Sequence, residues 1–318
     1  MHTLELDKEN LNMKAAIQIK SLTKKFGDIT AVDNLNLQIN EGEIFGLVGP
    51  DGAGKTTTMR MLCSLLMPDS GTAEVGGYDV ITQREELIRQ IGYMPQKFSL
   101  YGDLTVEENL AFYAEVYQIP PKVYKEKVQY LLEFNNLKEH SYKLADQLSG
   151  GMKQKLALSC NLLHTPKYLF LDEPTIGVDP VARREFWKIL FDLREQGVTI
   201  FVSTSYMDEA ERCDKIGLMN RGKVVIVDSP DKIIANFQKD VVRIYSDDNY
   251  RLRDFAAKLN YVEDVYIFGE ELHLIIENFN ELSDKLIKDF KSSHVKIYSF
   301  DKILPSIEDV FVNTIKIT

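Results

Sequence analysis

Cysteine is scarce and scattered in this 318-residue chain: Cys63, Cys160 and Cys213 are odd in number and form no Cys-x-x-Cys pair. That excludes a disulfide framework and a cysteine-based zinc site, and leaves three reduced core thiols. Long apolar runs are missing too. No stretch approaches the roughly 20 residues needed to cross a bilayer, and the start, MHTLELDKEN, lacks the basic-then-apolar order of a secretory signal. A cytoplasmic chain is expected. Positive charge is in deficit, with 38 Lys and Arg against 48 Asp and Glu and a net charge of −10. Such a balance disfavours nonspecific attraction to phosphate backbones, so no nucleic-acid partner is expected. Internal repeats and low-complexity linkers are absent as well.

What is present is a globular composition, 44% apolar and 27% charged. The length exceeds one usual core, which implies two domains. Residues 13–48 carry short alternations, AIQIK and then NLNLQINEGEIFGLVG, broken by a turn at Gly42. MRMLCSLL has helical spacing, and residues 98–148 are mostly helical in pattern. A helix to about residue 163, a strand at 168–171, a helix at 181–196 and a strand at 198–202 then alternate. The last strand gives way at Ser203. Alternation of this kind predicts an α/β domain with a largely parallel sheet under helices, closed by the hairpin-like GLMNRGKVVIVDSP. Beyond it the order becomes β-α-β-β-α-β, a small α+β domain. The expected division is an extension at 1–12, a first domain at 13–230 with a helical part at about 97–163, and a second domain at 231–318.

Three stretches carry chemistry. GPDGAGKT satisfies G-x-x-x-x-G-K-[ST] directly after a strand and before a helix. Its residues Gly49, Pro50, Asp51, Gly52, Ala53, Gly54, Lys55, Thr56 and the following Thr57 can curl their amides around phosphate oxygens, with the helix dipole assisting. Lys55 would reach the β- and γ-phosphates of a nucleotide, and the Thr56 hydroxyl would ligate Mg²⁺. YLFLDEPT sets Asp172 and Glu173 at the end of an apolar strand, where ligands of parallel sheets bind. Neighbouring strand residues point oppositely, so Asp172 suits the Mg²⁺ ligand role and Glu173 the polarising of an attacking water. LSGGMKQKLAL places a capping Ser149 before Gly150 and Gly151, which allow close approach of an anion.

In this order the three stretches resemble the ATP-binding-cassette (ABC) ATPases over residues 15–230. The resemblance implies a P-loop NTPase fold of ABC type, a mixed sheet core with an inserted helical subdomain, beside a ferredoxin-like accessory domain. It implies that Phe26 in KKFGD stacks on adenine, that Gln96 in IGYMPQ reaches Mg²⁺ with Thr56 and Asp172, and that Asp179 in IGVDP lies in a loop crossing to an opposing subunit. It further implies two half-sites per chain: residues 49–57 with Asp172 hold one ATP, while Ser149, Gly150 and Gly151 cover the ATP of a second cassette. MDEAERCD, LDEPTIGVDPVARREFW and the terminal PSIEDVFV are similar to the drug- and antibiotic-exporter branch, including daunorubicin-resistance-type subunits. There the membrane permease is a separate chain, and the ATP-binding subunit lies peripherally on the inner face of the membrane. A groove near Gln96, with Tyr101, Phe112, Tyr113 and Tyr117, would receive the permease; ordinary helical core is the other reading of those aromatics.

The stretch VSTSYMDEAE departs from the family's Ser-Thr-His pattern, since Ser205 stands where the switch histidine is expected. Losing one group that stabilises transition-state charge costs on the order of 10²–10³ in rate, so slow hydrolysis at this chain's own site is expected. Compensation by Tyr206, a water or a shifted backbone is the competing reading. Two other classes stay open at this point: a soluble ABC ATPase of translation or repair, and a phosphate-loop kinase. The second domain holds no phosphate motif or metal cluster; His273 and His294 read as structural, and a regulatory or dimer-supporting role is expected.

Overall fold

Period-two alternation near the start becomes two long antiparallel strands, β1 (Ala15–Phe26) and β2 (Ile29–Asn40), in a computed structural model that describes residues 15–97 and 100–317. The expected extension at 1–12 lies outside the described residues. After β3 (Ile44–Val48) and α1 (Lys55–Leu62), β4 (Ser70–Val75) and β5 (Tyr78–Asp79) join the first two strands in a sheet ordered β2-β1-β4-β5. The short α2 (Arg84–Ile88) leads to β6 (Ile91–Met94). Then come the helical part, α3 (Val106–Val116), α4 (Pro121–Phe134) and α5 (Gly150–Leu162), and the alternating tail β7 (Tyr168–Asp172), α6 (Pro180–Glu195), β8 (Thr199–Thr204), α7 (Met207–Ala210), β9 (Lys215–Asn220) and β10 (Lys223–Asp228).

The central sheet is ordered β10-β9-β3-β8-β7-β6, with β3, β6, β7, β8 and β9 parallel. Its strands β3 and β7 are buried at every residue, as strands covered on both faces must be, and this is why they read as unbroken apolar runs. Leu22, Leu35, Phe45, Leu47, Met59, Leu62, Phe170 and Phe201 join the first sheet, α1 and the central sheet in one core. One expected boundary is corrected. The strand read as ending at 202 continues through Thr204, because the ladder does: Ser203 pairs with Leu47 on one side and Asp172 on the other, and Thr204 pairs with Val48. The three thiols are free and buried.

The chain divides into compact units at Met1–Val227 and Asp228–Thr318, slightly ahead of the expected boundary. The reason is α8 (Pro230–Ala235), capped by Ser229, which packs on a helix of the second unit. That unit contains β11 (Asp240–Ser246), α9 (Asn249–Ala256), β12 (Asp264–Phe268), β13 (Glu271–Ile276), α10 (Phe279–Lys291), β14 (Ile297–Ile303) and α11 (Ile307–Ile317). Its antiparallel sheet is ordered β12-β13-β11-β14, the arrangement of a ferredoxin-like β-α-β-β-α-β unit. Leu252, Ala256, Leu286 and Phe290 of α9 and α10 bury one face against Val242, Ile244, Leu272 and Leu274.

Alternation turns His273 to the other face, where it is 4% exposed. Its Nδ1 lies 2.8 Å from Asp309 Oδ1 at the start of α11, and its Nε2 lies 3.3 Å from Glu271. Tyr266 and Ser306 also donate to Asp309. Burial opposes a charged imidazole, but the hydrogen bond and charge of Asp309, with Glu271 behind it, outweigh that and raise the His273 pKa. A histidine whose folded pKa exceeds its unfolded one adds stability that is whole below about pH 6.5 and is lost as pH climbs through the raised value. Urea titrations of the second unit should therefore show stability falling above about pH 6.5, and His273→Gln should flatten that slope; an unchanged slope in the variant would contradict this account.

Candidate functional site

The loop after β3 is shaped by glycines that no other residue can replace. Gly54 has φ +111°, and a Cβ there would stand 2.3 Å from the Ala31 carbonyl oxygen. The loop is tied at its start by Gly49 N–H donating to the Thr204 carbonyl at 3.2 Å, and Thr58 N–H closes on Gly54 O at 2.9 Å to begin α1. First-turn amides of a helix have no helical carbonyl ahead of them, so those of α1 are directed at whatever fills the loop.

Lys55 is buried and bends back over the loop. Its Nζ donates to Gly49 O at 2.7 Å and Pro50 O at 3.1 Å, and it pairs with Glu173 Oε1 at 3.1 Å. Gln96 Nε2 donates to the other Glu173 oxygen at 2.9 Å. Glu173 itself adopts φ +49°, a strained region for a non-glycine residue, and is kept there by its N–H, which reaches both the carbonyl and the hydroxyl of Ser203 at 3.1 Å. Phe26, Ala31, residues 51–57, Gln96 and Glu173 surround a cavity of about 510 Å³. Phe26 is 50% exposed on it, which rules out the role of an ordinary core aromatic.

Asp172 is fully buried. Its Oδ1 accepts from Thr56 Oγ1 at 3.0 Å and from Ser203 Oγ at 2.6 Å, while its Oδ2 has no partner. Nearby, burial first and the Asp172 charge second push the Tyr93 phenol up to about 12 and raise the Cys63 thiol, so both remain neutral. Among the described residues no group of three or more His, Cys, Asp or Glu is placed to hold a metal. A hydroxyl and an orphaned carboxylate oxygen are hard donors, and they fit a Mg²⁺ that takes its remaining oxygens from phosphate and water.

Residues 32–176 match the family described as ABC transporter, and residues 229–315 match the C-terminal domain of DrrA1-3-like ATP-binding proteins. The linearmycin resistance ATP-binding protein LnrL of Bacillus subtilis is 30% identical over 302 residues, covering 93% of this chain and 97% of LnrL. The chain belongs to the ABC transporter ATP-binding proteins. The probable multidrug ABC transporter ATP-binding protein YbhF of Escherichia coli is 49% identical over 227 residues, 71% of this chain but 39% of YbhF. The chain thus spans about two fifths of that relative's length. Among solved structures, the dimeric post-hydrolysis ATP-binding cassette MJ0796 bound to ADP and Pi superposes with TM-score 0.61 at 27% identity, covering 67% of this chain and 98% of its own.

An ABC cassette therefore gathers Phe26, the phosphate loop, Gln96, Asp172 and Glu173 in one place. Ser149, Gly150 and Gly151 lie outside that cavity. Ser149 caps α5 by accepting from Met152 N–H at 3.3 Å, and a Cβ on Gly151 would meet Ala182 at 2.5 Å. Asp179 caps α6, accepting from the amides of Val181 and Ala182 at 3.0 Å. Ser205 follows the end of β8, the strand between β3 and β7, and is not among the residues that line the cavity. Sequence reading missed Ser203 and the buried Glu209. For Ser203 the signal is present in the sequence, since it is the first of three hydroxyl residues at a strand end.

Ser203 joins the Asp172 carboxylate to the backbone of Glu173. Groups that orient a metal ligand are worth about 10–100-fold in metal affinity. Ser203→Ala should raise the Mg²⁺ concentration needed for tight ATP binding by about tenfold, measured by calorimetry at varied Mg²⁺. An unaltered Mg²⁺ requirement would remove Ser203 from the site.

Proposed function

We propose that this chain is the ATP-binding and hydrolysing subunit of an ABC exporter, driven by ATP-dependent pairing of two cassettes. The observation that carries the reading is a division of labour. Lys55, Thr56 and Glu173 line one cavity, with Asp172 bonded to Thr56 beneath it, whereas Ser149, Gly150 and Gly151 of the signature are not among the residues that line it. Half of the expected contacts to ATP therefore have to come from a second cassette, as a homodimer or with a different ABC subunit; the dimeric MJ0796 cassette supports this.

Phosphate oxygens compete for Lys55, which gives up the Gly49 and Pro50 carbonyls and Glu173 to bind them. Glu173, still held by Gln96, is then the base beside the attacking water. Thr56 and Asp172, with Gln96, would hold a Mg²⁺, and such an ion would supply charge neutralisation to the phosphates. Phe26 offers its ring to adenine. In the switch, serine is too short to span the gap an imidazole would cross. The Arg183 guanidinium covers the Tyr206 ring at 4.2 Å, which supports the reading that this tyrosine does not stand in for the imidazole. Hydrolysis at this chain's own site is thus slow, on the order of 10²–10³ below a histidine-bearing site.

Among the described residues no helix is long and apolar enough to cross a membrane, which supports a separate permease and a peripheral position on the cytoplasmic face of the membrane. The permease would meet the series of rings Tyr101, Phe112, Tyr113 and Tyr117, spaced 4.6, 5.4 and 6.4 Å between successive centroids. Names of relatives, multidrug and linearmycin resistance, favour a drug-like cargo.

Glu173→Gln protein given ATP and Mg²⁺ should elute as a dimer in size-exclusion chromatography; a monomer at saturating ATP would overturn paired action. Steady-state ATPase of Ser205→His should exceed wild type by about tenfold or more, and equal rates would show that the serine is not limiting.

A further inference from the structure

Glu209 on α7 is fully buried, yet the nucleotide cavity does not use it. Three separate elements converge on its carboxylate. The Thr204 hydroxyl, at the end of β8, donates to Oε2 at 2.7 Å. The Thr175 hydroxyl, in the loop after β7, donates to Oε1. Arg183 Nε, in α6, stands 3.7 Å from Oε1.

Each threonine anchors a segment next to it, Thr204 through its hydroxyl and Thr175 through its carbonyl. Thr204 Oγ1 also accepts from Tyr206 N–H at 3.0 Å, which pins the backbone on both sides of Ser205. Thr175 O accepts from Val178 N–H at 3.1 Å, setting the turn through exposed Gly177 toward Asp179. A Cβ on Gly150 would find the Gly177 carbonyl as its nearest neighbour, at 3.7 Å, so the turn borders the signature surface. Arg183 adds a further link, with its guanidinium over Tyr206 and 3.4 Å from Asp208. Burying a carboxylate is costly unless it is paired and hydrogen-bonded, and apolar packing would fill the space at lower cost. What a carboxylate supplies and a leucine does not is one enforced geometry between the two hydroxyls.

We propose that Glu209 is a positioning residue that makes the Ser205 switch and the 175–179 loop one rigid unit, so that engagement of the loop by a second cassette is felt at the nucleotide. The proposal rests on the cassette reading above. Hydrogen exchange by mass spectrometry on the full chain tests it, with Glu209→Gln, Thr175→Val and Thr204→Val as variants. Exchange should rise together in peptides covering 174–180 and 203–208, by roughly tenfold, with β3 and the second unit unchanged. Thr175→Val combined with Thr204→Val should do little more than either alone, since both remove the same link. In ATPase assays Glu209→Gln should lower kcat roughly tenfold with KM within about twofold, as expected when alignment is lost but nucleotide binding is kept. A rise in one segment only, a uniform rise across the sheet, or an unchanged kcat would overturn the proposal; should Glu209→Gln fail to fold, the two threonine variants decide it by the same readouts. If wild type binds no ATP, the cassette reading falls, and the exchange pattern alone decides whether the two segments are linked.

Discussion

Hydrogen bonds of the parallel ladder set β8 between β3 and β7, with Thr204 opposite Val48 and Ser203 opposite Asp172. That register brings three strand ends to one level. The phosphate loop leaves from the first, the switch from the second and the acidic pair from the third. A slip of one residue would turn every side chain to the other face of the sheet. The core of Phe45, Leu47, Phe170 and Phe201 opposes such a slip, because it would break the packing of Phe201 against Phe45 and Phe170. The chemistry at the rim therefore depends on apolar packing beneath it.

On this base the site holds charge in balanced groups. Lys55 and Glu173 are both nearly excluded from solvent, and each would be expensive alone. They neutralise one another, and Gln96 occupies the remaining carboxylate oxygen. Asp172 is handled differently: hydroxyl donors fill one oxygen and the other is left without a partner, beside a phenol and a thiol that stay neutral. Of the two acids, one is thus paired with a lysine and the other keeps an oxygen without a hydrogen-bond partner. Strain at Glu173 is sustained by two bonds to Ser203, so the hydroxyl that holds the Asp172 carboxylate also holds the backbone of the next residue.

The second unit uses polar burial for a different end. Its α9 and α10 face is wholly apolar, while the face bearing His273 joins sheet to α11 through Asp309, Tyr266 and Ser306. Reading His273 as structural agrees with this contact. Reading it as isolated does not, because Asp309 lies far along the chain and no local pattern links the two.

Spacing alone determined much of this protein. The phosphate loop, the apolar strand ending in Asp172 and Glu173, the signature cap and the β-α-β-β-α-β order of the second unit all follow from local patterns, because turns, helix caps and buried strands are specified by residues close together in sequence. Only the tertiary structure decided that β8 runs on through Ser203 and Thr204, that Gln96 grips Glu173, that Tyr206 is committed to Arg183 and that Glu209 joins two loops. Those outcomes are hydrogen bonds and ring contacts between residues remote in the chain, and their partners are chosen by strand order and register, which no single stretch of sequence contains.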